Sequence, residues 1–270
     1  QFHHPDISTT KSTFCLQTAS RIEHSSNDKT EESIWVSVMG ASRYDGAERD
    51  ERTIDFSMVL DISGSMSSHV DGMSKLEIAK RAIVELKGTL REGDRLAVSV
   101  FNDNGKVVIP LTEVSQFTHG EFESQINSIS TYGGTTLQAG FKVGLGVFEG
   151  IEPTPDRVRR ILFLTDMDDM GATQLKALLE QASSQQISTS IVGLGMNFDT
   201  NLTEGIIKVP GCRYYSAQKL EDVLRPIVEE FYFTFFPIAY KSRLACSSTE
   251  YQLEETFGAP LAPEFMEWDL

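Results

Sequence analysis

Hydrophobic and polar positions along this chain repeat with two different periods, and the changes between them mark the elements. Ile54–Ile62 is rich in apolar residues, the signature of a parallel strand buried on both faces. Beyond Ser74 the period becomes helical: Leu76, Ala79, Ile83, Leu86 and Leu90 fall on one face, which predicts an amphipathic helix over Lys75–Leu90. Ser74-Lys75-Leu76-Glu77 supplies a capping box at its start. Glu92-Gly93-Asp94 then turns the chain into a strand, Leu96–Phe101, and Asn104-Gly105 folds it back through Val107–Pro110 as a hairpin.

The alternation continues. Phe122, Ile126 and Ile129 mark a short helix, and Tyr132-Gly133-Gly134-Thr135-Thr136 opens another over Leu137–Phe148. Val158–Thr165 is a second central strand. After it come a helix at Thr173–Ser183, a strand at Ile187–Gly193 and a short helix at Asn201–Ile207. Tyr214-Tyr215 closes the sheet, and Lys219–Phe235 forms the final helix despite Pro226. Repeated strand–helix units with short loops predict an α/β domain over residues 52–235. Its sheet is doubly wound and mostly parallel, with the hairpin as one antiparallel edge strand.

The flanks have a different character. Residues 1–33 are polar and weakly periodic, an expected N-terminal arm, whereas Ile34–Met39, within residues 34–48, has strand chemistry. Ile238–Ser247 and Tyr251–Phe257 are strand-like. Residues 236–270 are therefore expected to pair with Ile34–Met39 as a small β module. Glu267-Trp268-Asp269-Leu270 looks like the start of a strand that continues past Leu270, so the module is expected to be incomplete. An unpaired edge there invites homodimerisation or strand addition from a partner.

Charge narrows the function. The 39 acidic residues outnumber 24 basic ones, for a net charge of -15, which opposes binding to nucleic acid or anionic membranes. The longest apolar tract, Val228–Tyr240, contains Glu229, Glu230 and Pro237 and is too short for membrane insertion. Cys15, Cys212 and Cys246 are odd in number and widely spaced, which argues against a disulfide framework and for free thiols in a reducing compartment. The start at Gln1 rather than Met is the expected result of removing or trimming a leader. Both a cytoplasmic and an extracellular location stay open.

Candidate chemistry gathers at strand ends. Asp61, Ser63 and Ser65 follow the first core strand, and Thr135 follows a Gly-Gly turn that enters a helix. Asp166 follows the second core strand. Right-handed crossovers bring such strand exits to one sheet edge, the place where open α/β sheets bind ligands. Two carboxylates and three hydroxyls are hard oxygen donors that suit Mg²⁺, with Mn²⁺ or Ca²⁺ as substitutes.

Other chemistries fail on spacing. There is no G-x-S-x-G elbow, no H-E-x-x-H pair and no phosphate-binding P-loop. Asp166–Gly171 starts like a calcium loop, but Met170 takes a ligand position and Ala177 stands where the bidentate Glu belongs. Phosphoryl transfer would need further carboxylates and a basic clamp at this edge. No enzyme activity is expected, and a metal-dependent hydrolase ranks last.

Asp61-Ile62-Ser63-Gly64-Ser65, Gly133-Gly134-Thr135 and Leu164-Thr165-Asp166 resemble the three loops of a von Willebrand factor type A domain with an intact metal-ion-dependent adhesion site. The resemblance implies a Rossmann-like fold in which Ser63, Ser65 and Thr135 ligate Mg²⁺, while Asp61 and Asp166 hold it largely through waters. It also implies a non-catalytic docking module whose metal takes an Asp or Glu carboxylate from a partner protein. The alternative is a scaffold or substrate-recognition subunit of a larger complex, such as a ubiquitin ligase or an ATPase-coupled machine. The flanking strands resemble the β-sandwich of some intracellular and bacterial family members. Many members have Gly after the last aspartate; here Met167, Asp168 and Asp169 follow, which adds negative charge beside the site.

Overall fold

A computed structural model of the chain describes residues 14–24, 30–40, 52–118, 120–166, 172–195, 200–229, 231, 235–236, 243–245 and 267–269. The first two strands, β1 (Phe14–His24) and β2 (Thr30–Gly40), form an antiparallel hairpin with eleven residues in each strand. A strand therefore runs through the stretch expected to be a polar arm. Ladder hydrogen bonds come from backbone groups and do not require an alternating apolar face, so the weak period of Phe14–His24 hid it.

The main sheet begins with β3 (Thr53–Asp61), where every residue from Ile54 to Asp61 is buried. After it, the short strands β4 (His69–Val70) and β5 (Met73–Ser74) make a small hairpin. Its turn is Asp71-Gly72, with φ of 52° and 81°, the left-handed conformation that Asp-Gly hairpin turns require. Helix α1 (Lys75–Thr89) starts at Ser74 with the expected capping box: the Glu77 amide donates to Ser74 Oγ, and the Ser74 amide donates to Glu77 Oε2 at 2.8 Å.

The remaining elements follow in order: β6 (Arg95–Phe101), β7 (Gly105–Glu113), α2 (Glu121–Asn127), α3 (Leu137–Gly146), β8 (Arg157–Thr165), α4 (Ala172–Ser184), β9 (Ile187–Leu194), α5 (Thr200–Ile207), β10 (Cys212–Ala217) and α6 (Leu220–Leu224). Six strands build one sheet in the order β10-β9-β8-β3-β6-β7. All neighbours are parallel except β7, which pairs antiparallel to β6 at the edge. This is the doubly wound α/β fold with one antiparallel edge strand that the periodicity predicts.

Strand residues alternate between two apolar layers. Ile54, Phe56, Met58 and Leu60 of β3 face a core shared with Ile78, Ala82 and Ile83 of α1 and with Val223 of α6. Val59, with Ile161 and Phe163 of β8, faces the other layer, formed with Phe141 of α3 and Leu179 of α4. Helix α3 lies unusually near the sheet. A Cβ on Gly140 would sit 2.4 Å from the Phe101 ring, and one on Gly144 would sit 2.4 Å from Val59 Cγ2. Ser57 Oγ uses that closeness to donate to the Gly144 carbonyl at 2.9 Å.

The final helix differs from expectation. After α6 the chain makes a π-helical turn, Arg225–Glu229, instead of continuing as one α-helix to Phe235. Pro226 has no amide hydrogen, and its ring collides with the carbonyl four residues back, so the regular ladder gives way there. Phe231, Phe235 and Phe236 still pack as core, with Phe235 edge-on to Phe56 at 4.8 Å between ring centres.

The strand-like C-terminal tract contributes β11 (Arg243–Ala245), which pairs antiparallel with β12 (Glu267–Asp269). Ile34–Met39 lies in β2 and pairs with β1, so its partner among the described residues is the N-terminal strand rather than the C-terminal segment. The other expected strand, Tyr251–Phe257, lies outside the described residues. Contacts divide the chain into a unit of residues 1–50 with 237–239 and a unit of residues 51–236 with 240–270.

Candidate functional site

Strand order turns back at β3. The chain leaves β3 through α1 to β6 on one side, while β8 lies on the other. The two central strands consequently open a crevice at their carboxyl ends, and Asp61 and Asp166 flank it.

Asp61 is fully buried, and both of its oxygens have donors. The Ser63 amide donates to Oδ1 at 2.8 Å, and Thr165 Oγ1 donates to Oδ2 at 2.6 Å. Burial nevertheless pushes its pKa up to about 6; the hydrogen bonds from Thr165 and Ser63 oppose that rise, and the nearby Asp166 charge adds to it. Past Asp61 the chain enters a 3₁₀ turn, Gly64–Ser67. That turn sets Ser63 Oγ 3.0 Å from Ser65 Oγ, so two hydroxyls stand side by side next to the carboxylate.

The loop carrying Thr135 is stitched to the same edge by backbone. Tyr132 donates its amide to the Ile62 carbonyl at 2.8 Å, and Gly64 donates to the Gly133 carbonyl at 3.1 Å. Beyond the loop, the Thr136 amide donates to the Asn102 carbonyl at 2.8 Å. Asn102 and Asp103, at the exit of β6, secure it further through Asn102 Nδ2 to the Tyr132 carbonyl (3.1 Å) and the Gly134 amide to Asp103 Oδ2 (3.0 Å). Glycine suits both positions: Gly133 has a left-handed φ of 81°, and a side chain at either would displace Asn102 or Asp103. Cβ atoms there would come within 2.7 Å of Asn102 Nδ2 and 2.5 Å of Asp103 Oδ1. Thr135 is half-buried between these anchors.

Asp166 is almost fully buried. Its Oδ2 accepts from Lys75 Nζ at 2.8 Å, while its Oδ1 is buried without a hydrogen-bond partner. Buried oxygens rarely stay unpaired, and a buried carboxylate oxygen left so has the chemistry of a cation ligand. All five expected residues thus belong to segments that meet at one edge. Among the described residues no three His, Cys, Asp or Glu side chains gather as a metal cage, because two carboxylates and three hydroxyls make up this set.

Sequence reasoning missed the supporting roles of Thr165, Asn102, Asp103 and Lys75. Thr165 precedes Asp166, and its place one step past the Leu60–Leu164 pair puts it opposite Asp61. Asn102 and Asp103 are the polar exit of the neighbouring strand. Asking which polar residues end every parallel strand would have found these three. Lys75 read only as part of a capping box. Residues 167–169, the departure from the usual Gly, lie outside the described residues.

Residues 56–171 match the family model of the von Willebrand factor type A domain. Over 156 residues the chain is 32% identical to the protein sll0103 of Synechocystis, covering 57% of this chain and 35% of that protein. It is 25% identical over 182 residues to YwmC of Bacillus subtilis, covering 62% of this chain and 78% of that one. The chain thus spans about a third of the length of the Synechocystis relative. The fold is shared with the crystal structure of the conserved hypothetical protein BatB from Bacteroides thetaiotaomicron, at a TM-score of 0.53 and 21% identity over 67% of this chain and 98% of that chain. The family-model match lies within the α/β domain, and the solved structure shares that domain's fold.

Proposed function

We propose that the crevice is a metal-ion-dependent adhesion site and that the protein is a docking module working through it. Asp61, Ser63, Ser65, Thr135 and Asp166 would hold Mg²⁺, with Mn²⁺ or Ca²⁺ as substitutes. The observation that carries the reading is the buried, unpartnered Asp166 Oδ1 at the exit of β8, the strand next to β3, whose own exit loop carries the paired Ser63 and Ser65 hydroxyls. When bound, such an ion supplies an electrophilic position open to an anion, because hydroxyl ligands neutralise it less than carboxylates do. The protein's own groups set that character. Thr165 and the Ser63 amide fix the Asp61 carboxylate, and the glycine loop anchored on Asn102 and Asp103 presents Thr135.

The ligand class that fits is an Asp or Glu carboxylate on a partner protein. The reading is of docking and not catalysis, since of the two carboxylates in the proposed ligand set Asp61 is held by Thr165 and Ser63 and Asp166 by Lys75. Titration calorimetry with Mg²⁺ and Mn²⁺ tests it. Wild-type protein is expected to bind one ion, and Asp61→Ala and Thr135→Ala to lose it with the fold retained. Equal binding by all three proteins would defeat the proposal.

A further inference from the structure

The charge that now neutralises Asp166 is supplied by the chain itself. Lys75 is the first residue of α1, yet its ammonium reaches 91 residues along the sequence to Asp166 Oδ2 at 2.8 Å. The pair is largely shielded, with side-chain exposures of 16% for Lys75 and 2% for Asp166. Its route is built. Gly195, at φ 114°, leaves room where a Cβ would lie 3.2 Å from Lys75 Cε, and the Gly195 amide is fixed to the Ala217 carbonyl at 2.9 Å. A side chain at 195 would crowd the lysine stem.

We infer that Lys75 is a tethered cation that competes with the divalent ion for Asp166 and so sets the affinity of the metal site; this rests on the adhesion-site reading above. A shielded ammonium within hydrogen-bond distance of a ligand carboxylate opposes a second positive charge on that carboxylate, and low solvent exposure keeps the opposition strong. Lys75 also has somewhere to go. With Asp166 it lines a cavity of about 630 Å³ whose wall also carries His69, Asp71, Gly195, Lys219 and Asp222. An ammonium displaced from Asp166 has that cavity to enter, where the carboxylates of Asp71 and Asp222 offer it other anions.

Mn²⁺ titration of the full chain tests this with three variants. Lys75→Met keeps the stem and removes the charge, Lys75→Gln does so with a polar end, and Lys75→Arg keeps the charge. The expected result is a Kd for Mn²⁺ about tenfold or more lower in the Met and Gln variants, which corresponds to about 1.4 kcal/mol, with wild-type weakness restored by Arg. Thermal melts in EDTA show that each variant is folded, and a merely structural lysine would weaken metal binding on removal. Unchanged or weaker Mn²⁺ binding by folded Met and Gln variants overturns the inference and leaves the adhesion site standing. No Mn²⁺ binding by wild type or any variant overturns the adhesion site itself, and this inference with it.

Discussion

Thr165 Oγ1 donates to Asp61 Oδ2 at 2.6 Å, joining the last residue of one central strand to the last residue of its neighbour. The bond spans the crevice at its base and fixes the carboxylate on which the loop of Ser63 and Ser65 is built. Thr165→Val removes the donor at nearly constant volume. The cost is expected to be about 1–3 kcal/mol in stability. Mn²⁺ affinity is also expected to fall, because Asp61 loses its orientation. Denaturant melts with calorimetry check this; unchanged values in both would show that Thr165 is a bystander.

Asp61 makes the metal-free protein more stable in mild acid. Its folded pKa of about 6 exceeds the ordinary 3.8, so the folded state holds this proton more tightly than the unfolded chain does. The stability contributed by this group therefore falls as pH rises from about 4 to about 6 and is lowest above that window. The difference is on the order of 3 kcal/mol. In EDTA, urea unfolding at pH 5 and pH 7.5 is expected to show a larger pH effect in wild type than in Asp61→Asn. Identical pH dependence in the two proteins would contradict the assignment.

The opposite end of the sheet is held by a different carboxylate. Asp55, fully buried, accepts from Arg95 Nε and from Arg157 Nη1, each at 2.7 Å. Asp55→Ala leaves two partly exposed guanidinium groups without their anion and is expected to cost about 1–3 kcal/mol. Chemical denaturation reads the loss. Metal affinity should not move, because Asp55 lies toward the amino end of β3 and Asp61 at its carboxyl end.

Helix α3 tests the packing. Gly144→Ala places a methyl group against Val59 and is expected to destabilise by about 1–3 kcal/mol through overpacking, with loss of the Ser57 Oγ bond to the Gly144 carbonyl. Gly146→Ala, which meets nothing within 4 Å, serves as the control and should be neutral or slightly stabilising.

The sheet was legible because burial on both faces leaves strong patterns. Ile54–Asp61 and Val158–Thr165 had to be central, and Asn104-Gly105 had to mark the antiparallel edge. The site was legible as far as its ligand types stood at strand exits. Its supports were harder to see, since Thr165, Asn102 and Lys75 carry meaning only through pairing register and crossover geometry. A lysine in a capping box gives no sign that it will reach a carboxylate 91 residues away. Asp71-Gly72 is a turn dipeptide set among other polar residues, which dilute its signal. Pro226 interrupts an otherwise helical pattern, and the helix yields to it there.

The most direct test of the central claim is an anomalous difference map from crystals of the protein soaked in Mn²⁺. The account predicts one peak in the β3–β8 crevice, ligated by the hydroxyls of Ser63, Ser65 and Thr135, with Asp61 and Asp166 in its surroundings. An empty crevice under millimolar Mn²⁺, or a peak that leaves Thr135 and Asp166 uninvolved, would contradict it.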